Sequence, residues 1–468
     1  MKARLVLISK GKGPVGAVSS YRPICMLESA GKLLENLLRP MLHAAMKAAR
    51  DLAGRQYGFR SGLSTIHEVQ EVVTAAKMTG RGNHRTRPLC LLATLDVKNA
   101  FNSVRGDLAK ETLELPESTF LVGYADDFAV VITARDTEGA QLLLNQVMRR
   151  VTSWMEDHGL SLAAQKTQIV ILTRKRINTL RRFPEGQAAV QTKMADKYLG
   201  FMLDNKLNYG EHIIMAADTA AKVVASMGIL MAKIKGPRPC MRRLLMHAAE
   251  AVMLYGAKVC AEPLQKEEYR KRITAVQKRG NLRIACSYRM VSESAVLVVA
   301  GVFPIDLLSQ ERKFVHQQRC VLGMEKASRL ARSISIKCWQ SRWEQERRGR
   351  WTDLLNSQLD NWINRESGEV DFYLTQFLIG HGLFRSYMAR MRKSAERLAL
   401  EQDLGDLSPD NVVEKMLRGQ KEWNKVAWMD MSLVRSAYSN GETDTSGTCM
   451  VTHMGKGPTG GQGLWGRA

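Results

Sequence analysis

Residues 120–132 read FLVGYADDFAVVI, an apolar run broken only by two adjacent charges, Asp126 and Asp127. Burying one unpaired carboxylate in such a run costs several kcal/mol, and two side by side cost more. A divalent cation is the simplest compensation. An ordinary exposed Asp-Asp turn between two strands is the plainer alternative. A third carboxylate decides for the cation: residues 89–95 form another apolar run, closed by Asp96 and followed by Val97-Lys98-Asn99-Ala100-Phe101-Asn102. Two strands that deliver carboxylates to one end of a sheet offer hard oxygen ligands for two Mg2+ ions, with Mn2+ a possible substitute. Paired metals of that kind activate a hydroxyl and stabilise a departing pyrophosphate in an in-line displacement. The chemistry that fits is nucleotidyl transfer.

These carboxylates need a sheet to hold them, and the pattern supplies one. Residues 89–95 are nearly all apolar, as in a strand covered on both faces. Residues 121–124 and 128–133 are two apolar runs joined at Ala125-Asp126-Asp127, the outline of a hairpin. Residues 138–158 have helical periodicity and end at Gly159, and residues 169–172 read as one more strand. Upstream, residues 5–8 read as a short strand. A helix is expected over 29–50, carrying Leu33, Leu34, Leu37, Leu38 and Met41, and another over 64–78 with Ser64 at its N-cap. A short helix is expected over 104–113. Residues 212–283 and 305–435 are mostly helical, the second stretch with dispersed tryptophans that read as core. The tail from Ser439 is rich in Gly, Thr and Ser and reads as disordered.

Charge points to the partner. The chain of 468 residues carries a formal charge of +23. Residues 1–60 hold 11 Lys/Arg against 3 Asp/Glu, and residues 171–283 hold 22 against 9, while the stretch with the paired aspartates is closer to neutral. Basic lobes around an acidic centre suit an enzyme that clamps nucleic acid, although a generally basic solvated surface gives the same sum. The eight cysteines are scattered without a Cys-x-x-Cys pair, which argues against a disulfide framework and a structural zinc site and reads as buried free thiols. No stretch approaches the ~18 unbroken apolar residues of a membrane helix. The first residues lack the apolar centre of a signal peptide, so an intracellular protein with no membrane partner is expected.

Asp96-x-x-x-Ala100-Phe101 and Tyr124-Ala125-Asp126-Asp127 resemble the two metal-binding motifs of reverse transcriptases. The surroundings are similar to non-LTR (LINE-type) retrotransposons, especially the insect elements that insert into ribosomal DNA. Tyr21-Arg22-Pro23-Ile24 with Gly31-Lys32-Leu33-Leu34-Glu35 resembles an early finger motif, and Gln56-Tyr57-Gly58-Phe59-Arg60 with Ser64-Thr65 the next. Gly159-Leu160-Ser161-Leu162 with Lys166-Thr167 resembles the palm motif beyond the hairpin, and Tyr198-Leu199-Gly200 the primer grip. The motifs stand in family order over about residues 1–435.

The resemblance implies roles. Asp96, Asp126 and Asp127 would be the metal ligands, and Lys166 a proton donor to the departing pyrophosphate. Lys10 and Arg22 would hold the incoming triphosphate, and Phe101 would gate the sugar, unless it simply packs in the core. Gln56, Phe59 and Arg60 would lie against the template, with Tyr198, Leu199 and Gly200 at the primer. The partners implied are an RNA template, a DNA primer and deoxynucleoside triphosphates, in nucleus and cytoplasm. The fold implied is α+β, a right-hand polymerase with a helical C-terminal extension. Fingers and the start of the palm would take 1–95, the palm 96–210, a basic thumb 211–300, a helical region 301–438 and the tail 439–468.

The sequence also departs from that pattern. Asp96 and Asp126 lie 30 positions apart, where the family has further palm helices and a Gly-x-Pro-Gln-Gly loop. The palm is therefore expected to be incomplete. The family's C-terminal Cys/His knuckle and N-terminal endonuclease domain are also missing, which suggests a truncated, spliced or decayed copy. Two readings follow: an RNA-directed DNA polymerase impaired in this copy, or a non-catalytic nucleic-acid-binding remnant.

Overall fold

Four antiparallel strands carry the candidate site. The fold comes from a computed structural model that describes residues 3–11, 13–14, 16–48, 53–79, 87–97, 114–163, 166–173, 182–185, 188–233, 236–365, 368–380 and 409–424. The strands are β3 (Leu89–Asp96), β4 (Thr119–Tyr124), β5 (Asp127–Ala134) and β6 (Gln168–Leu172), in the order β4-β5-β3-β6. Side chains alternate across a strand. Leu89, Leu91, Ala93 and Leu95 of β3 face one core with Val130, Ile132, Ile169 and Ile171. Helix α3 (Thr137–Asp157) covers that face with Ala140, Leu144, Val147, Val151 and Met155. The alternate residues Cys90 and Leu92 are equally buried, and helix α2 (Thr65–Thr79) packs on β3, β4 and β5. Cover on both faces is why β3 is apolar at successive positions from Leu89 to Ala93 rather than at every second one.

Local chemistry sets the helix ends. Asp136 caps α3 by accepting from the Gly139 N–H at 2.7 Å, and Gly159, at φ +73°, closes the other end. Ser64 precedes α2, where its N–H donates to His67 Nδ1 at 3.1 Å, a histidine version of the capping box.

The same compact unit, Met1–Leu199, contains a separate ribbon of β1 (Ala3–Ser9) and β2 (Tyr21–Leu27), followed by helix α1 (Ser29–Ala48). β2 was not expected, because Pro23 argues against a strand; it is tolerated because β2 belongs to a two-stranded ribbon. The apolar stripe of α1 is present, yet Leu33, Leu37 and Met41 stay exposed among the described residues. A second unexpected hairpin joins β7 (Arg182–Glu185) and β8 (Ala188–Gln191). β9 (Ala195–Tyr198) completes the unit.

The second unit, Gly200–Ala468, is helical after the short strand β10 (Phe201–Asp204). Its main helices are α4 (Gly210–Ile229), α5 (Pro239–Met253), α6 (Glu267–Ile284), α7 (Glu293–Ala300), α8 (Ile305–Leu322) and α9 (Met324–Gln345). Trp339, Trp343, Trp362 and Trp423 are buried in one core, as expected of these tryptophans, and Trp351 packs against it. Trp362 and Trp423 stack at 5.7 Å, with the Arg365 guanidinium 4.2 Å over Trp362. Among the described residues, α4 is the single helix long and apolar enough to cross a membrane by itself. Its residues Ile213, Ala217, Ala220 and Val224 lie in the helical core.

The cysteines correct one expectation. All seven described ones are free, but Cys25, Cys240, Cys320 and Cys338 are exposed and only Cys90, Cys260 and Cys286 are buried. These four sit on helix or ribbon faces that the core does not reach. The expected helix over 104–113, Phe101 and the tail from Ser439 lie outside the described residues.

Candidate active site

Strand register brings two of the predicted carboxylates together. Asp96, the last residue of β3, is the direct partner of Asp127, the first residue of β5. Tyr124 pairs with Asp127 across the hairpin, leaving Ala125 and Asp126 as a two-residue turn. Ala125 has φ +61°, the first-position geometry of a type II′ turn, at a cost of about 1 kcal/mol for a residue with a Cβ.

A segment far upstream braces this turn. The Tyr57 N–H donates to Gly123 O at 2.7 Å, and the Gly123 N–H donates to Arg55 O at 3.1 Å. Gln56 Nε2 reaches Ala125 O at 3.5 Å. Gly58 lies so close that a Cβ there would sit 2.4 Å from Ala125 N. Of the predicted template residues, Gln56 therefore touches the aspartate turn, while Phe59 is held at φ +62° with its ring exposed.

On the other side, the stretch after α3 folds onto Asp96. Leu162 bridges Val97, and the Ala163 N–H donates to Asp96 O at 2.8 Å. This positions Lys166, whose ammonium donates to Asp96 Oδ2 in an ion pair. The lysine side chain is 70% exposed and the aspartate 30%, so the pair is solvated and contributes little stability. Asp96, Asp127 and Lys166 line a cleft of about 260 Å³ together with Lys193, Lys197 and Tyr198. Lys193 is paired with Asp196 at 3.2 Å. Lys193 and Lys197 were not singled out in the sequence; nothing in their spacing ties them to Asp96, and only the fold brings them there.

Burial, then Asp126 and Asp96, raises the Asp127 carboxyl above its ordinary pKa, against the pull of Arg22 and Lys166. Arg22 thus acts on the site from the ribbon, although its own side chain is exposed, like that of Lys10. Asp127 keeps an exposed edge, so solvent screens much of this repulsion. Leu199 and Gly200 follow β9 at φ +49° and +80°, the two left-handed positions of a type I′ turn. Tyr198 is buried, and its hydroxyl donates to Glu68 of α2.

Glu68 is the residue the sequence hid. It is fully buried, and its Oε2 has no hydrogen-bond partner among the described residues. Burial pushes its carboxyl up to about 7; the Tyr198 hydroxyl opposes this, while Asp127 and Glu71 add to it. Its place on α2, among apolar neighbours, would have been read from the sequence as an ordinary polar position.

The donor set suits a hard divalent cation in type, since its three carboxylates are gathered at one end of a sheet. As placed, no three His, Cys, Asp or Glu side chains among the described residues converge closely enough to hold an ion. Asp96 is turned to Lys166 instead.

Comparison with known proteins places the chain among relatives of one kind. The chain is 23% identical over 309 residues to a protein of Nasonia vitripennis, the retrovirus-related Pol polyprotein from type-1 retrotransposable element R1 2, covering 61% of this chain and 75% of that protein. Its homologues are non-LTR retrotransposon proteins. In Drosophila melanogaster the probable RNA-directed DNA polymerase from transposon BS is 22% identical over 354 residues, covering 61% of this chain and 38% of the relative. The RNA-directed DNA polymerase from mobile element jockey is 23% identical over 296 residues, covering 49% of this chain and 32% of the relative. By family, the homologues are enzymes named for RNA-directed DNA synthesis. No protein-family model matches the chain.

In the helical unit of this retrotransposon homologue, a cleft of about 880 Å³ is lined by Arg270, Lys271, Lys278, Arg342 and Arg348. Glu267 holds Lys271 at 2.7 Å and Asp306 holds Arg342 at 2.8 Å, so part of that charge is balanced within the chain.

Proposed function

We propose that this chain is the RNA-directed DNA polymerase region of a non-LTR retrotransposon, built for two-metal nucleotidyl transfer and impaired in this copy. The observation that carries the reading is the pairing of Asp96 with Asp127 beside the Asp126 turn. Asp96, Asp126 and Asp127 would hold the ions, once Asp96 is released from Lys166. When bound, Mg2+ or Mn2+ would supply Lewis acidity at the primer hydroxyl and the triphosphate. Lys166, which lines the same cleft, would give a proton to the departing pyrophosphate. Arg22 and Lys10 would meet the triphosphate from the ribbon, and Phe59 and Arg60 the template. In this reading the first unit contains fingers and palm, the second begins with the thumb, and the basic cleft of α6 and α9 grips the nucleic-acid backbone. It works inside the cell, on an RNA template, a DNA primer and deoxynucleoside triphosphates.

A second reading is favoured by a specific observation: the carboxylates do not converge, and the Gly-x-Pro-Gln-Gly loop is missing from the sequence between Asp96 and Asp126. The chain would then bind nucleic acid without extending it. Primer extension on poly(A) with an oligo(dT) primer and Mg2+ separates the two. Weak extension that Asp126→Asn abolishes supports the polymerase. Salt-sensitive RNA binding with no product, in Mg2+ and in Mn2+, supports the remnant and refutes activity.

A further inference from the structure

The helical unit holds a smaller cleft that this reading leaves unused. It opens between α5, α6 and the turn at Gly301–Phe303, with a volume of about 200 Å³. Met246, Met253, Val276 and Phe303 form an apolar wall. Against that wall stand polar groups whose bonding can be followed one by one. Gln277 is satisfied: its amide donates to Phe303 O at 2.7 Å and accepts from the Ile305 N–H at 2.9 Å. Arg332 lies 4.2 Å over the Phe303 ring and is held by Glu311 at 2.9 Å. Glu250 is drawn to Arg312 at 3.8 Å.

Two donors are left over. Asn281 is 2% exposed, and its Nδ2 has no hydrogen-bond partner among the described residues, although it lines the cleft. Buried amide donors are almost always paired, and one that is not calls for an acceptor. Arg243 makes no ion pair among the described residues. A second guanidinium approaches the same point: Arg243 Nη1 and Arg365 Nη1 lie 3.8 and 3.9 Å from where a Gly301 Cβ would be. The repulsion is felt, since Arg243 helps burial lower the Arg365 pKa to about 10. Arg365 already donates to Trp362 O and Gly368 O, so an anion at that point would take its hydrogen bonds from Arg243 and relieve the repulsion between the two guanidiniums.

The arrangement therefore offers the Arg243 guanidinium, in a field strengthened by Arg365, for an anion, an amide donor for a second acceptor, and an apolar and aromatic wall in the same cleft. A bare inorganic anion would leave the wall and the amide unused. We propose that this cleft binds a phosphorylated nucleoside, with its phosphate on Arg243 and an acceptor atom of its base on Asn281. Two sources share that chemistry, a free mononucleotide and an unstacked nucleotide of a bound strand.

The test is calorimetric titration of the full chain in EDTA, which keeps metal-dependent nucleotide binding out of the measurement. The probes are AMP, inorganic phosphate and a ten-residue oligo(A) RNA. AMP is expected to bind, with phosphate a much weaker competitor. Arg243→Met and Asn281→Asp should each weaken AMP about tenfold or more, and Lys326→Met, on the exposed face of α9, should leave it unchanged. If Asn281→Asp unfolds the unit, as circular dichroism would reveal, Arg243→Met, on a partly exposed side chain, still decides. Weakening of both AMP and oligo(A) identifies a strand nucleotide as the occupant, and weakening of AMP alone identifies a free nucleotide. Absence of AMP binding at millimolar concentration, equal competition by phosphate, or indifference to Arg243→Met overturns the proposal. Extension is not read, so failure of the polymerase reading leaves this result standing.

Discussion

Replacing Glu68 by Gln should remove the loss of stability that the first unit suffers as pH rises through neutrality. The glutamate is fully buried on α2, one oxygen accepts from the Tyr198 hydroxyl, and the other has no hydrogen-bond partner among the described residues. Its carboxyl is raised from 4.5 to about 7, so the folded state binds the proton more tightly than the unfolded chain does. The stabilising contribution is complete below pH 4.5 and is lost as pH rises through 7. From that displacement, holding Glu68 ionised at pH 8 costs roughly 3 kcal/mol, an upper figure because local opening relaxes it. Gln keeps the acceptor for Tyr198 and has no charge to bury. Hydrogen exchange of peptides spanning Thr65–Thr79 and Leu89–Asp96, compared with wild type at each pH and without divalent ions, reads the local stability. The variant should match wild type near pH 4.5 and be protected by about one to three kcal/mol more at pH 8. Parallel behaviour of the two proteins from pH 4.5 to 8 would refute the assignment of a buried, charge-averse carboxylate.

Other perturbations follow from the same geometry. Gly58→Ala puts a Cβ 2.4 Å from Ala125 N. It should destabilise the first unit by about 2–4 kcal/mol, measured by urea denaturation, and displace the aspartate turn. His212 is buried and neutral, accepting from the Met202 N–H and donating to Tyr255 O at 2.9 Å, and burial lowers its pKa. Its contribution is present above pH 6.5 and lost as pH falls, so the melting temperature of the helical unit should drop between pH 7 and 5, and His212→Gln should flatten that slope. Trp423→Ala removes the ring stacked on Trp362 and should cost about 3–5 kcal/mol in thermal denaturation of that unit.

The sheet was legible because its signals are local. The nearly continuous apolar run of β3 reports cover on both faces, and the paired aspartates stand at the hairpin turn, where charge can meet solvent. Residues 138–158 carried their periodicity and caps in plain view, and α3 forms within one residue of those bounds. What escaped depends on distance in the chain. β2 was hidden by Pro23, and the four exposed cysteines by a rule that holds only for buried ones. Gly58 stood out only as part of a motif, while its close approach to Ala125 bridges segments far apart in the chain. Lys166 was picked out by motif as a proton donor, whereas its ion pair with Asp96 is a product of the bridge between Val97 and Leu162. Glu68 looked like any acidic residue in the first turn of a helix; its burial arises from the strands beneath α2 and from Tyr198, over a hundred positions away.

β4 lies at the edge of its sheet, and residues 97–118 join it to β3. Closing a flexible connection costs only about 0.6 kcal/mol more for each doubling of its length. The ladder from Leu89↔Ala134 to Asp96↔Asp127 makes no use of the connecting residues, so a shorter connection leaves its register as it is. In a copy shortened there, decay is chemical before it is conformational. On the proposed reading, such a chain would stay folded with its basic surfaces in place and would compete with intact copies for RNA.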